Sequence, residues 1–219
     1  MTELTPSLRR LYTDPADYID SDHPAVVAFA ETHARDGDRA TASALYAAVR
    51  DVVRYQPYVD MNDTETFRAS SVLEKGAGYC VGKAALFAAA CRARGLPARV
   101  GFADVRNHLT TEKLSARMGT DLFAWHGFTE VYVDGAWRKA TPTFNASLCQ
   151  KLGVAPLDFD GHADALLHPF DAEGRMYMRY EVEHGAFHDV PVGFLKREMA
   201  RLYPPLHDTG ADMEREAAG

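Results

Sequence analysis

The sequence contains no apolar run approaching the ~18 residues of a membrane-spanning helix, so it offers no candidate membrane span. Its opening, "MTELTPSLRRLYTDPADYID", lacks the basic start and apolar stretch of a secretory signal. Positive charge is scarce: 24 Lys and Arg stand against 31 Asp and Glu, for a net charge of -7. That balance argues against a nucleic-acid surface, which normally shows a basic stripe. Cysteine is scarce too. Cys80, Cys91 and Cys149 are odd in number and irregular in spacing, with no CxxC pair, which excludes a disulfide framework and a zinc knuckle. No GxGxxG loop is present to cradle phosphates, and no repeat or low-complexity segment interrupts the chain. These absences predict a cytoplasmic protein that needs no metal or cofactor and engages neither nucleic acid nor membrane.

At 219 residues and 47% hydrophobic content, the chain can bury one sizeable core. The expected organisation is a single domain over residues 1–219. It comprises a motif-bearing core at about 40–145, an extension at about 146–205 wrapped over that core, and a frayed tail at 206–219. Pro24 opens a helical pattern that stops at Gly37. In "RATASALYAAVRDVVRY", Leu45, Ala48, Val49, Val52 and Val53 share one helical face, which reads as core. An irregular polar stretch runs from Gln56 to Ser71.

Chemistry concentrates in "EKGAGYCVGKAALFAAACRARGLPARVGF", Glu74 to Phe102. This reads as a turn, a helix from about Cys80 to Arg94 with Gly95 at its C-terminal cap, and a strand near Ala98–Val105. Gly76 and Gly78 permit a tight backbone path and close approach of a substrate. A cysteine at a helix start meets free N–H groups and positive partial charge, which lower a thiol pKa and can hold an oxyanion. The competing reading of Cys80 is a small core residue. That reading suits Cys91, in mid-helix on a stripe with Ala84, Phe87 and Ala88, and it suits Cys149.

A nucleophilic cysteine needs a base. Nine histidines compete, at 23, 33, 108, 126, 162, 168, 184, 188 and 207. His126 stands out because it lies on a predicted strand ahead of an Asp134-Gly135 hairpin turn. A two-residue loop there pairs Val133 with Ala136, Tyr132 with Trp137 and Glu130 with Lys139. Continued outward, Phe128 faces Thr141 and His126 faces Thr143. Side chains alternate between faces, so His126 has Thr141 and Thr143 within direct or diagonal reach.

Taken together, "GAGYCVGKAALFAAACRARGLPARVGF" and "WHGFTEVYVDGAWRKATPT" resemble the transglutaminase-like, papain-related superfamily, and "ALYAAVRDVVRYQPY" resembles the helix that precedes its cysteine. The resemblance covers roughly residues 40–145. It implies an α+β fold, a transglutaminase-like or papain-like core with the cysteine helix packed on an antiparallel β-sheet, and a cofactor-free enzyme. It also implies Cys80 as nucleophile and His126 as base. Where the family's next strand reads Asp-Pro-Thr, this chain reads Thr141-Pro142-Thr143. Thr141 therefore takes the orienting position, with a hydroxyl that can fix an imidazole tautomer but cannot stabilise an imidazolium as a carboxylate would. Asn145 and the more distant Asp160 are alternatives. Tyr79 and Trp125 flank the pair and are candidates for lining a substrate slot, and Gln56 is a weaker candidate oxyanion donor. The segments Asp160–His168 and His184–Asp189 carry metal-capable groups without a recognised ligand spacing.

The resulting expectation is a cysteine enzyme that acts on an amide-type bond of a peptide, protein or small amide through a thioester, with water or an amine as acceptor. Two rivals share these residues: a catalytically decayed peptide-binding module, and a small-molecule acyl-transfer enzyme of a biosynthetic pathway. Fold does not choose among them.

Overall fold

The computed structural model describes residues 3–107, 111–166, 178–203 and 211–218. The chain begins with helices α1 (Pro6–Leu11), α2 (Pro24–His33) and α3 (Asp38–Val52). The two-residue strand β1 (Arg54–Tyr55) follows, then a 3-10 turn at Thr64–Thr66 and helix α4 (Ala69–Lys75). Strand β2 (Ala77–Gly78) leads directly into α5 (Cys80–Ala93), and β3 (Ala98–Asn107) follows. Helix α6 (Glu112–Met118) precedes the hairpin of β4 (Leu122–Val133) and β5 (Ala136–Ala140). The chain then runs through α7 (Ala146–Lys151), β6 (Met178–Phe187), α8 (Val192–Leu202) and α9 (Met213–Glu216).

Four antiparallel strands form one sheet in the order β5-β4-β3-β6. Against it lies α5, also in contact with α2, α3 and α4. Residues 81 to 92 of α5 are all buried, so its buried surface is a full circumference and not the single stripe that the apolar spacing suggested. An alanine-rich helix suits this position, because alanine favours the helix and lets neighbours approach on every side. The C-terminal cap is as expected. Gly95 has φ +73°, and the N–H of Leu96 reaches back to the Cys91 carbonyl.

The hairpin register agrees with the sequence from Val133↔Ala136 to Thr129↔Ala140. Asp134 and Gly135 both have positive φ, as a type I′ turn requires. The ladder ends there. Thr141 instead donates its N–H to the Ala165 carbonyl, so the anticipated pairings of Phe128 with Thr141 and His126 with Thr143 do not form.

Three other expectations are corrected. Val52 lies on the exposed side of α3, while Leu45, Ala48, Val49 and Val53 are buried. The extension is no mere wrapping, since β6 forms the sheet's edge against β3. The tail is not frayed over 211–218. Ala211 and Met213 are buried, Tyr58 Oη donates to Glu216 (2.6 Å), and Asn145 Nδ2 donates to Glu214 (2.8 Å). A frayed end is the default only for chain that nothing ties down. Among the described residues no helix is long and apolar enough to cross a membrane.

Candidate active site

The site arises where β4 crosses the start of α5. Gly127 makes the crossing possible. A Cβ there would stand 2.7 Å from Val81 Cα and 3.1 Å from its nitrogen, so any side chain would force the strand off the helix. Backbone contact between Gly127 and Val81 brings their sequence neighbours, His126 and Cys80, to one cavity. At Cys80 the sulfur meets the N–H groups of Gly127, Val81 and Cys80 itself. Those two helix N–H groups are free for this because Tyr79, the N-cap residue, supplies no capping side chain. Neither glycine of the preceding turn is among the residues that line the cavity. Gly76 is the left-handed C-cap of α4, and Gly78 clears Val72, whose Cγ1 would lie 2.9 Å from a Cβ.

The cavity opens to solvent; with that open space counted, it holds about 550 Å³. Tyr79 and Trp125 both line it, and Tyr79 is buried edge-on against Phe67. Two walls come from segments the sequence did not mark. Leu114 and Met118 of α6 form one, and Leu195 and Met199 of α8 form the other. Trp125 has φ +56°, a left-handed conformation uncommon for a bulky residue. It sits where the β3–β4 register shifts between Ala103 and Val105. Several contacts hold it: Asp104 Oδ1 accepts its N–H at 3.0 Å, and Tyr203 Oη binds both the Ala124 N–H and the Leu122 carbonyl.

The candidate orienters separate clearly. Thr141 and Thr143 are both buried, and the Oγ1 atoms of both, like His126 Nε2, have no hydrogen-bond partner among the described residues. Thr143 lines a small second cavity together with His126. Asn145 is committed elsewhere: its Oδ1 accepts the Tyr55 N–H, and its Nδ2 donates to Ser147 and Glu214. Asp160 accepts the His162 and Ala163 N–H groups and lines a separate groove with Arg39 and Asp134. Gln56 donates to the Ala211 carbonyl and accepts the Tyr58 N–H, so it does not aim at Cys80.

The metal-capable segments also come apart. His184 binds Asp104, while Asp189 accepts the N–H groups of Tyr18 and Ile19. His168 lies outside the described residues. Among the described residues no three His, Cys, Asp or Glu side chains converge. Cys91 and Cys149 are buried core residues, as expected.

A family model described as the transglutaminase-like superfamily matches residues 26–142. The chain belongs to that superfamily. The fold agrees: a solved protein from Cytophaga hutchinsonii, described as a candidate cysteine protease, is similar at 20% identity and a TM-score of 0.51. The match covers 85% of this chain and 48% of that one. The chain thus spans about half the length of that relative. A solved TGase is similar at 22% identity and a TM-score of 0.36, over 57% of this chain and 31% of its own. No curated protein matches the sequence.

For a superfamily built around a cysteine, the electrostatics are unexpected. Burial pushes the Cys80 thiol up to about 11, and the three N–H groups around the sulfur only partly oppose it. Burial also pushes His126 down to about 4. The expectation of a lowered thiol pKa at the helix start is therefore not met, because desolvation by the apolar cavity outweighs the helix terminus. Near neutral pH both groups are uncharged.

Proposed function

We propose that the protein is a cysteine enzyme that cleaves or exchanges an amide-type bond, with Cys80 as nucleophile and His126 as base. The observation that carries this reading is the placement of both side chains in one cavity by the contact of Gly127 with Val81. Superfamily membership supports it.

The thiol begins neutral, so attack and proton transfer occur together. The sulfur bonds to the substrate carbonyl carbon as His126 takes the thiol proton. Backbone N–H groups at the sulfur, that of Cys80 among them, hold the developing oxyanion. On collapse the amide C–N bond breaks and the amine leaves with the proton from His126, which gives a thioester on Cys80. Water or a second amine then attacks the thioester, and the thiol is restored. Thr141 is the proposed orienter of His126 and Thr143 the neighbouring alternative; Tyr79 and Trp125 are the proposed substrate contacts. The substrate is a peptide, a protein or a small amide, and the setting is cytoplasmic.

The test is capture of the intermediate. An activated acyl ester should leave its acyl group on Cys80, read by mass spectrometry, and His126→Ala should slow that step by about 10²–10⁴-fold. Acylation unaffected by His126→Ala, or confined to Cys91 or Cys149, would overturn the proposal. A second reading, a catalytically decayed binding module, is favoured by the raised thiol and by an imidazole with no carboxylate partner among the described residues. A module would hold peptides without ever forming the acyl adduct.

A further inference from the structure

The cavity that holds Cys80 and His126 is apolar to an extent that constrains what can enter it. None of the described residues lining it is Asp, Glu, Lys or Arg. The phenol of Tyr203 is occupied by the Ala124 N–H and the Leu122 carbonyl. Burial raises the hydroxyls of Tyr55 and Tyr79 well above the usual tyrosine range, so both stay uncharged. The carboxylate of Asp104, beside Trp125, is taken by the Trp125 backbone N–H and the His184 ring. A charged group entering this space would surrender part of its water and meet no opposite charge among the described lining residues.

An apolar group gains by the same move. The cavity opens to solvent, so a group seated on its apolar walls can extend outward from them. Three of its walls carry methionine: Met61 on the β1–α4 connection, Met118 on α6 and Met199 on α8. Unbranched thioethers adapt to rings and branched chains alike. Trp125 and Phe123 add flat surface beside His126.

We propose that the acyl group delivered to Cys80 is uncharged and apolar, an aromatic or branched aliphatic acyl chain seated between α6, α8 and Trp125. The inference rests on the cysteine-enzyme reading and narrows its substrate class. The covalent step is the one already described: the sulfur–carbonyl bond forms, the C–N bond breaks, and the proton passes through His126 to the leaving amine. Aspartyl and lysyl acyl groups are excluded because each would bring a charged head that meets no opposite charge among the described lining residues.

The experiment compares alkylation of Cys80 by iodoacetamide, iodoacetate and N-benzyl-iodoacetamide, each rate divided by that of the reagent with glutathione at the same pH. Burial of the benzyl ring should raise its normalised rate roughly 10-fold or more above that of iodoacetamide, with iodoacetate slowest. Met199→Glu and Met61→Glu each place a carboxylate in a half-buried wall, and either should reduce the benzyl advantage to about twofold or less. A pair of variants guards against one failing to fold. Equal normalised rates, or a preference for iodoacetate, would overturn the apolar acyl group while leaving Cys80 as nucleophile. A benzyl advantage that survives both substitutions would also overturn it, since the ring would then bind elsewhere. Failure of every reagent to modify Cys80 would refute the enzyme reading itself.

Discussion

The indole of Trp125 and the imidazole of His184 lie face to face, with ring centroids 3.9 Å apart and planes 15° from parallel. The same imidazole donates through Nε2 to Asp104 Oδ1 at 2.8 Å, and that oxygen accepts the backbone N–H of Trp125. A strained residue persists only where its surroundings over-determine it, and these contacts do so at Trp125, one residue before His126. His184→Ala should therefore release the indole, shift tryptophan emission to the red and lower Cys80 acylation. His184→Phe should restore the stacking and much of the emission. An unchanged spectrum in His184→Ala would show that Trp125 holds its pose without this support.

Gly127→Ala tests the crossing of strand and helix. The methyl group has no room against Val81, so the variant should lose about 1–3 kcal/mol of stability. It should also lose more Cys80 reactivity than a merely destabilised protein would. Denaturant unfolding measures the first, and alkylation of the folded protein measures the second. Wild-type reactivity in Gly127→Ala would mean that the contact does not align the pair.

Three variants separate the orienting residues. Thr141→Val and Thr143→Val each remove a buried hydroxyl that lacks a partner among the described residues, so both should fold at little cost. Whichever orients His126 should lower acylation by a visible fraction of the 10²–10⁴-fold that general-base catalysis typically supplies. Asn145→Ala should instead cost stability, about 1–3 kcal/mol, because it strands the buried Tyr55 N–H. Acylation unchanged in both threonine variants would place the orienting group elsewhere.

The buried imidazole makes stability depend on pH. His126 titrates at about 4 in the folded chain and near 6.5 when unfolded, so the unfolded state binds the proton more readily. Its contribution is complete above pH 6.5 and is lost as pH falls through 4, a loss on the order of 3 kcal/mol. His126→Gln should flatten that part of the curve relative to wild type, while carboxylates common to both proteins cancel in the difference. Alkylation of Cys80 should climb with pH beyond 9, toward about 11, with no plateau between pH 6 and 8. A plateau in that window would show that the pair is ionised at rest.

Deletion of residues 211–219 should destabilise more than the tail. Glu216 accepts from Tyr58 and Thr111 and pairs with Lys113, which anchors the start of α6. The truncated protein should melt at a lower temperature and exchange amide hydrogens faster in α6. Unaltered exchange there would show that α6 is held by the cavity wall alone.

What the sequence by itself determined is local. Positive φ at Asp134 and Gly135 sets the hairpin, Gly95 stops α5, and the placement of Cys80 at a helix start follows from the chain immediately around it. Gly127, within "WHGFTEV", went unmarked: a glycine inside a strand pattern signals close backbone approach, but nothing in the sequence names its partner Val81. Tertiary structure alone decided which segments met. The sheet partner of β3 on one side is β6, some 80 residues away, and the cavity walls on α6 and α8 carry no motif. It also decided the protonation state of the pair. A helix terminus acts within a turn and is readable from sequence, but desolvation depends on how deeply distant side chains bury a group. At Cys80 and His126 that depth prevails, and the pair rests neutral.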